Sequence, residues 1–509
     1  MADNSQNNKR IAKNSVFMAI RMVFVLVLTF YTTRVILNIL GVEDYGVYNV
    51  VCGFVSMFAF LNTSMSNGIQ RFFNYELGKN GEDGATKVFN TALLIQLILA
   101  IVIIVLTESI GIWYLHSKMV IPADRLFAAE WIFQFSILSF LFIIIQVPYT
   151  AAVMAHERMD FFAIISVLDA VLKLAIVFAI PLFPGDSLIV YGILFALISV
   201  LNFFLYFIYC RRNFKEIKFR RIFEKPLFFS MLGFSGWNIF GAMSGVMKEQ
   251  GINLVLNLFF GPVVNAARGV ASQINGGLQS FVSNITIPVR PQVVQSYARG
   301  AYGRTMNLTY SVSKLSCSFL YLCSLPVALE IDYILKIWLG DSIPEHTNTF
   351  VIIVILTTFV NNLNAAVSGV VHASGKMMTY QTVCSFIAMM CIPFSYFGLK
   401  VGLSPEFALV MVFVWTALSQ AAALVILKRI VDYSIKTYLI KVILPLFAVI
   451  SITFWPSAII RMYMQEGIVR FIIVCFVSVF ITILGIYLIA LDKSEKNLVK
   501  SMLNKIMKK

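Results

Sequence analysis

The segment Leu37–Tyr48 reads LNILGVEDYGVY and forms a short polar stretch between two long apolar runs. A polar turn between runs of about twenty apolar residues predicts a transmembrane helical hairpin. A variant of it, Leu256–Ala266, reads LNLFFGPVVNA and again lies between apolar runs. Small residues recur at the same spacing, as Gly41 and Gly46 in the first segment and Gly261 and Ala266 in the second. The chain is therefore predicted to contain two copies of one design.

The composition is that of a membrane protein. Of the 509 residues, 59% are hydrophobic and 13% are charged, and the mean hydropathy is +0.84. Inside a bilayer, backbone N–H and C=O groups must form their hydrogen bonds within the protein, which restricts spanning segments to helices or closed barrels. The apolar runs are as long as a helical span and lack the alternation of barrel strands of about ten residues. We therefore predict an all-α, polytopic membrane protein.

Apolar windows predict about fourteen transmembrane helices. The predicted spans lie near residues 14–40, 46–68, 87–108, 126–147, 162–182, 187–209, 227–258, 266–288, 306–328, 348–370, 378–398, 405–427, 439–460 and 468–490. Six spans separate equivalent positions of the repeat, an even number, so the two copies should have parallel topology. The predicted domains are an N-terminal six-helix lobe at 1–210, a basic cytoplasmic linker at 211–226, a C-terminal six-helix lobe at 227–427, and two additional helices with a basic tail at 428–509.

The basic residues predict the orientation of these spans. Twenty-eight of the 40 Lys and Arg fall on the side that carries both termini, and six fall on the other side. Because cytoplasmic loops are enriched in Lys and Arg, both termini are predicted to be cytoplasmic. The net charge of +15 is spread between apolar runs, which argues against nucleic-acid binding. The basic linker suits the anionic inner leaflet, and recognition of a pyrophosphate-bearing lipid is the alternative.

The remaining six basic residues lie inside predicted spans, namely Arg21, Arg34, Lys173, Lys248, Arg268 and Lys314. A charge at the bilayer centre costs about 2.5–3.5 kcal/mol on insertion scales, so such residues normally face a polar cavity or a partner. Four of them occupy equivalent helices of the two copies. We predict that these four, Arg21, Arg34, Lys248 and Arg268, line a cationic cavity between the copies. An anionic cargo follows, and the guanidinium fork suits phosphate oxygens.

Several of these residues have a plainer interpretation. Lys173 lies four residues after Asp169, so the two can neutralise each other on one helix face. Arg21 and Lys314 can reach the cytoplasmic interface, and Arg34 the outer interface. Lys173 and Lys314 are therefore secondary candidates.

Two further groups of polar residues complete the candidate set. The acids Asp169 and Glu249 are candidates for binding a coupling ion, H+ or Na+. Asn257 and Asn275 could bind sugar hydroxyls, although joining helix to helix is the commoner use of such amides.

Enzymatic features are missing from the sequence. It contains no G-x-x-x-x-G-K-[ST] motif for a nucleotide, and no long aqueous loop that carries carboxylates. Its seven cysteines lack metal-ligand spacing and suit buried apolar positions. We therefore expect no catalytic residue, no metal and no cofactor, and a membrane glycan polymerase is the less favoured class.

Three segments together carry a family resemblance: LGVEDYGVY at 40–48, SNGIQRF at 66–72 and AHERMDFF at 155–162. With the fourteen-span layout, they resemble the bacterial oligosaccharide flippases, which carry O-antigen and other polysaccharide repeat units. These flippases belong to the multidrug/oligosaccharidyl-lipid/polysaccharide exporter superfamily. The sequence departs from a strict repeat at Pro262 and Ala266, so the two turns need not behave alike.

The resemblance implies a function in polysaccharide or lipopolysaccharide biosynthesis. The implied cargo is an undecaprenyl-pyrophosphate-linked oligosaccharide, carried across the bacterial inner membrane by alternating access. A cationic cavity is implied for Arg21, Arg34, Lys248 and Arg268, with H+ or Na+ as the coupling ion and a polysaccharide polymerase as a partner. The alternative is an ion-coupled multidrug exporter of the same fold.

Overall fold

The computed structural model describes residues 2–156, 158–220, 224–340, 342–364, 367–374, 377–431, 434–492 and 495–497. Within these residues the secondary structure is helical, without a strand, which confirms the all-α prediction. The helices are α1 Ala2–Ser56, α2 Ala59–Leu106, α3 Ile112–Ser117, α4 Leu126–Ala155, α5 Met159–Ala179, α6 Ser187–Asn213, α7 Lys225–Phe260, α8 Pro262–Ala298, α9 Tyr302–Leu329, α10 Ile331–Leu339, α11 Thr347–Leu363, α12 Val367–Ser374, α13 Met377–Met389, α14 Cys391–Lys400, α15 Pro405–Val431, α16 Ile435–Tyr438, α17 Leu444–Tyr463 and α18 Ile468–Gly485. Short π-helical segments occupy Thr107–Gly111, Leu439–Ile443 and Ile486–Ala490.

The two copies of the opening motif turn on equivalent glycines. Gly41 interrupts α1 with φ 81° and ψ 170°, and Gly261 separates α7 from α8 with φ 74° and ψ −168°. Glycine alone adopts such positive φ values readily, because it has no Cβ. The predicted polar turn is therefore a one-residue break between two helices, with nearly the same backbone conformation in both copies.

Ten helical stretches in the described residues are long and apolar enough to cross a membrane. They include ten of the predicted spans. The other four predicted spans fall on the α1–α2 junction at 57–58, on α7, on α8, and on α11, which has only 17 residues. The protein is thus a multi-pass helical membrane protein, and the total of fourteen spans stays a prediction.

The chain divides into two compact units, residues 1–269 with 395–408 and residues 270–394 with 409–509. In the first unit, α4 packs against α2 and α6, α1 packs against α4 and α5, and α7 packs against α1 and α2. The predicted lobes at 1–210 and 227–427 rest on the sequence repeat rather than on compactness, and they stay a prediction.

The basic linker is folded onto the first unit over the residues that are described. Glu216 is 3% exposed and binds the imidazole of His156, which stacks on Phe214. The amide of Asn90 donates to the carbonyl of Lys218 at 2.9 Å and accepts from the N–H of Arg220 at 2.8 Å. This segment is therefore anchored to the first unit by side-chain and backbone contacts.

In the second unit, the two additional C-terminal helices pack on α9. Two buried ion pairs link α9 to the C-terminal part of the chain, one near the middle of the helix and one just after its end. Lys314 binds Glu495 at 2.7 Å, and Arg470 binds Glu330 at 2.8 Å. Buried pairs of this kind fix register, because breaking one leaves an uncompensated charge. The last two helices are therefore an integral part of this unit.

Candidate functional site

Arg268 and Glu249, two of the predicted site residues, form an ion pair in the first unit. Arg268 lies near the start of α8 and is 4% exposed, and its Nη2 lies 3.1 Å from Oε1 of Glu249 on α7. Glu249 remains 43% exposed, so the pair has one buried and one accessible end. The sequence did not predict this pairing, since Glu249 was considered there only as a candidate for binding a coupling ion.

Amide side chains continue this polar region into α1. The Nδ2 of Asn265 donates to the carbonyl and to the Oδ1 of Asn253, both at 2.7 Å, and Asn253 donates to the carbonyl of Asn49 at 3.2 Å. Six polar residues meet where α1, α7 and α8 pack together, and we call them the α1–α7–α8 polar cluster. They are Asn49, Glu249, Gln250, Asn253, Asn265 and Arg268.

Glycines let the three helices approach closely around this cluster. A Cβ on Gly53 would lie 2.8 Å from Oε1 of Gln250, and a Cβ on Gly269 would lie 2.7 Å from Oδ1 of Asn49. A Cβ on Gly46 would lie 1.9 Å from the carbonyl oxygen of Pro262. Small residues at such contacts allow polar groups of neighbouring helices to meet inside a membrane.

Two buried polar atoms of the cluster have no hydrogen-bond partner within the described part of the chain. They are Nε of Arg268 and Oδ1 of Asn265. A buried donor or acceptor without a partner costs about 1–3 kcal/mol, so such atoms mark sites where water or a ligand can bind. Within the described residues, one donor of the buried guanidinium and one amide acceptor near it thus lack a partner.

The other predicted basic residues of the cavity lie on the same helices. Arg34 is exposed on α1, and Lys248 is half-buried on α7 beside Glu249. Arg21 is half-buried on α1, and its guanidinium lies 5.0 Å from the ring centroid of Phe162 on α5. All four basic residues belong to the first unit, and Arg268 is part of the cluster through its ion pair with Glu249.

The candidates Lys173, Asp169 and Asn257 contact other residues of the fold. Lys173 binds Asp169 at 2.8 Å, and Asp169 also accepts from Asn202 on α6 at 2.7 Å. Asn257 accepts from the N–H of Val120 at 2.9 Å and donates to its carbonyl at 3.1 Å. These contacts agree with the plainer, structural interpretation of the sequence.

The two secondary candidates of the second unit, Asn275 and Lys314, also bind other residues of the protein. Asn275 accepts a hydrogen bond from Thr358 on α11. Lys314, 5% exposed, belongs to the ion pair with Glu495 described above. The described residues contain no group of three or more His, Cys, Asp or Glu side chains that could hold a metal ion.

Comparisons with known proteins bear on the fold. No protein-family model and no curated protein matches the chain. A solved structure of the lipid II flippase MurJ in an inward closed conformation matches with a TM-score of 0.65 at 13% identity, over 93% of this chain and 98% of that one. An inward-facing multidrug resistance MATE family transporter of the MOP superfamily matches with a TM-score of 0.61 at 14% identity, over 81% of this chain and 98% of that one.

A eukaryotic MATE transporter also matches, with a TM-score of 0.61 at 14% identity over 84% of this chain and 96% of that one. Identities this low are informative about architecture only. The chain therefore has the polytopic helical fold seen in the MurJ flippase and in MATE transporters.

Proposed function

We propose that this protein is a flippase for undecaprenyl-pyrophosphate-linked oligosaccharides in the bacterial inner membrane, working by alternating access. One of the solved structures that share its fold is a lipid II flippase, which supports a lipid-linked cargo. The sequence motifs at 40–48, 66–72 and 155–162 support an oligosaccharide unit as the cargo's head.

The observation that carries this proposal is the buried guanidinium of the α1–α7–α8 polar cluster. Arg268 is held by Glu249 through one nitrogen while its Nε has no partner within the described residues. A guanidinium presents several N–H donors in a plane, which matches the oxygens of a phosphate. We propose that the pyrophosphate binds Arg268, and that Lys248, Arg34 and Arg21 add positive charge along its path.

The pairing with Glu249 suggests how cargo and a coupling ion exchange. A pyrophosphate that binds Arg268 competes with the carboxylate of Glu249, since both accept from the same donors. A displaced carboxylate would bind H+ or Na+ in place of the guanidinium. In this proposal Glu249 holds Arg268 between transport cycles and releases it when cargo or an ion arrives.

A second candidate is an ion-coupled multidrug exporter, which the likeness to MATE transporters favours. Binding of lipophilic cations requires carboxylates that are available to the cargo. Here both predicted acids are engaged with bases, Asp169 with Lys173 and Glu249 with Arg268. This charge arrangement favours an anionic cargo.

The test uses a strain that lacks this gene and accumulates the lipid-linked unit on the cytoplasmic leaflet. Arg268→Gln should lower delivery to the outer leaflet about tenfold or more, the effect of one lost charge-assisted hydrogen bond. Arg268→Lys should retain part of the activity, and Lys118→Gln, on an exposed site outside the cluster, should behave as wild type. Membrane levels of each variant are measured alongside.

Three outcomes would contradict the proposal. Normal outer-leaflet delivery in the deletion strain, with no related gene present, would remove the flippase function. Raised tolerance to cationic dyes without restored surface glycan would favour the exporter. Chain lengthening of the glycan by the purified protein would identify a polymerase instead, whereas we propose that a polymerase is a separate partner.

A further inference from the structure

A cavity of about 350 Å³ lies in the second unit, between α9 and the last two helices. Its walls are the first half of α9, the π-helical segment Leu439–Ile443 before α17, and the π-helical segment Ile486–Ala490 after α18. The lining residues are Asn307, Tyr310, Ser311, Lys314, Lys441, Pro445, Ile489, Ala490, Leu491 and Asp492. We call this space the α9–α17–α18 cavity.

The cavity lies at the ends of membrane-spanning helices. The α9 span begins at Tyr302, the span that contains α17 begins at Ile435, and the span that contains α18 ends at Ala490. The cavity residues therefore lie within about three turns of span ends, so the cavity extends inward from the level of the lipid headgroups. By the predicted orientation, this is the cytoplasmic side.

Two π-helical segments meet at this one cavity. A π segment inserts a residue into a helix and so alters which side chains and carbonyls face a neighbour, and such segments occur often at functional sites. Lys441 lies within one of them, and Ile489 and Ala490 lie within the other. Two separate helix distortions therefore occur at the same cavity.

The side chains provide one buried ion pair and one accessible cation. Lys314 is 5% exposed and paired with Glu495 at 2.7 Å, so the carboxylate of Glu495 largely compensates its charge. Lys441 is exposed, and its Nζ contacts Oδ1 of Asn307 at 3.5 Å and lies 6.0 Å from the ring centroid of Tyr310. Both neighbours are neutral, and among the described residues no carboxylate lies at hydrogen-bond distance from this ammonium.

The acid at the cavity wall is already engaged. The carboxylate of Asp492 accepts from the N–H of Glu495 at 2.9 Å, and the carboxylate of Glu495 accepts from the N–H of Asp492 at 2.9 Å. This reciprocal arrangement is a capping box. Asp492 thus caps the turn that follows, and its carboxylate adds one negative charge to the wall, while Lys441 is the exposed cation of the lining.

We propose that the α9–α17–α18 cavity binds the phosphate of an anionic phospholipid headgroup, with Lys441 as its cation and Asn307, Ser311 and Tyr310 as hydrogen-bonding groups. Basic pockets between transmembrane helices on the cytoplasmic side suit anionic headgroups. The volume corresponds to about ten water molecules, which is room for a phosphoglycerol headgroup. This lipid is a resident partner of the second unit and lies outside the proposed transport site.

The test is native mass spectrometry of the detergent-purified protein, titrated separately with phosphatidylglycerol and with phosphatidylcholine. We expect phosphatidylglycerol to be retained preferentially, and Lys441→Gln to weaken its binding about tenfold, the effect of one charge-assisted contact. Lys436→Gln is the matched control, because Lys436 is an exposed lysine at the same end of the same span. It should bind the lipid as wild type.

Equal phosphatidylglycerol binding by wild type and Lys441→Gln would overturn the proposal. A Lys441-dependent rise in melting temperature with inorganic phosphate alone, with no further rise on adding phosphatidylglycerol, would assign the cavity to free phosphate and also overturn the lipid assignment. Neither measurement requires transport, so a negative result here is distinguishable from failure of the proposed flippase function.

Discussion

Gly41 and Gly46 are both glycines of the opening motif, but the structure requires them for different reasons. Gly41 has φ 81°, and a Cβ there would meet no atom within 4 Å. Gly46 is helical, and a Cβ there would lie 1.9 Å from the carbonyl oxygen and 2.5 Å from the carbonyl carbon of Pro262. Gly41 is thus required by backbone conformation, and Gly46 by the close approach of another backbone.

The change Gly46→Ala is expected to destabilise the protein by about 1–3 kcal/mol, because the obstructing atoms are backbone and one helix must move. Gly245→Ala is the matched control, since Gly245 is helical on α7 and a Cβ there meets open space. It should stabilise the helix by about 0.4–1 kcal/mol. Thermal unfolding of the purified variants in detergent measures both effects. A melting temperature of Gly46→Ala equal to that of wild type would contradict the close contact.

Sequence reasoning identified Arg268 and Glu249 but not that they bind each other. The two residues are on different helices, and helical periodicity gives no register between helices. It also missed Asn49 and Asn265, because one amide in an apolar run looks the same whether it joins helices or lines a site. A usable signal was present: Gly46, Asn49 and Gly53 are three and four residues apart, which places them on one face of α1.

At the scale of elements, one arginine binds acidic residues of two neighbouring segments and so joins three helix connections. These connections lie on the side of the membrane that is predicted to face away from the cytoplasm. Arg125, just before α4, donates through Nε to Asp44 at 2.6 Å and through Nη1 to Asp186 at 2.6 Å. Asp44 belongs to the opening motif, and Asp186 caps α6 by accepting from the N–H groups of Leu188 and Ile189. The acidic residue of the motif thus joins neighbouring hairpins, a role that its sequence context did not indicate.

This cluster predicts a pH dependence of stability. Burial acts to raise the pKa of Asp186, but hydrogen bonds from Arg125 and from backbone N–H groups outweigh it and lower that pKa below its ordinary value. A carboxyl with a lowered pKa contributes stability above its ordinary pKa of about 3.9 and loses it as the pH falls through the folded-state value. Acidification from about pH 5 to pH 3 should therefore remove the stability that Asp186 contributes, which acts to lower the melting temperature.

The variant Asp186→Asn separates the ion pair from the helix cap, because asparagine is also a good N-cap. At neutral pH its melting temperature should be lower by about 2–4 °C, and its further loss on acidification should be smaller than that of wild type. Asp124→Asn, at an exposed position beside Arg125, is the control and should match wild type. An acid response in Asp186→Asn as steep as that of wild type would refute the assignment.

At the scale of the whole molecule, hydropathy was sufficient for the class of fold, because a bilayer imposes length and apolarity on each span. It was less informative for α7, α8 and α11, where polar residues or short length weaken the signal. The sequence also did not predict that the linker folds onto the first unit through Asn90 and Glu216. Its anchors are single polar residues far apart in sequence, and the charge of the segment suggested only binding at the anionic inner leaflet or to a pyrophosphate-bearing lipid.

The charge asymmetry predicts the orientation of the molecule in the membrane, and this prediction is open to a direct test. Lys118 and Lys215 are both exposed, and the predicted topology puts Lys118 outside the cytoplasm and Lys215 within it. A membrane-impermeant maleimide should label Lys118→Cys in intact cells and Lys215→Cys only after permeabilisation. The seven natural cysteines all lie within helices, so the unmodified protein provides the background. Labelling of Lys215→Cys in intact cells would reverse the orientation, and with it the assignment of the α9–α17–α18 cavity to the inner leaflet.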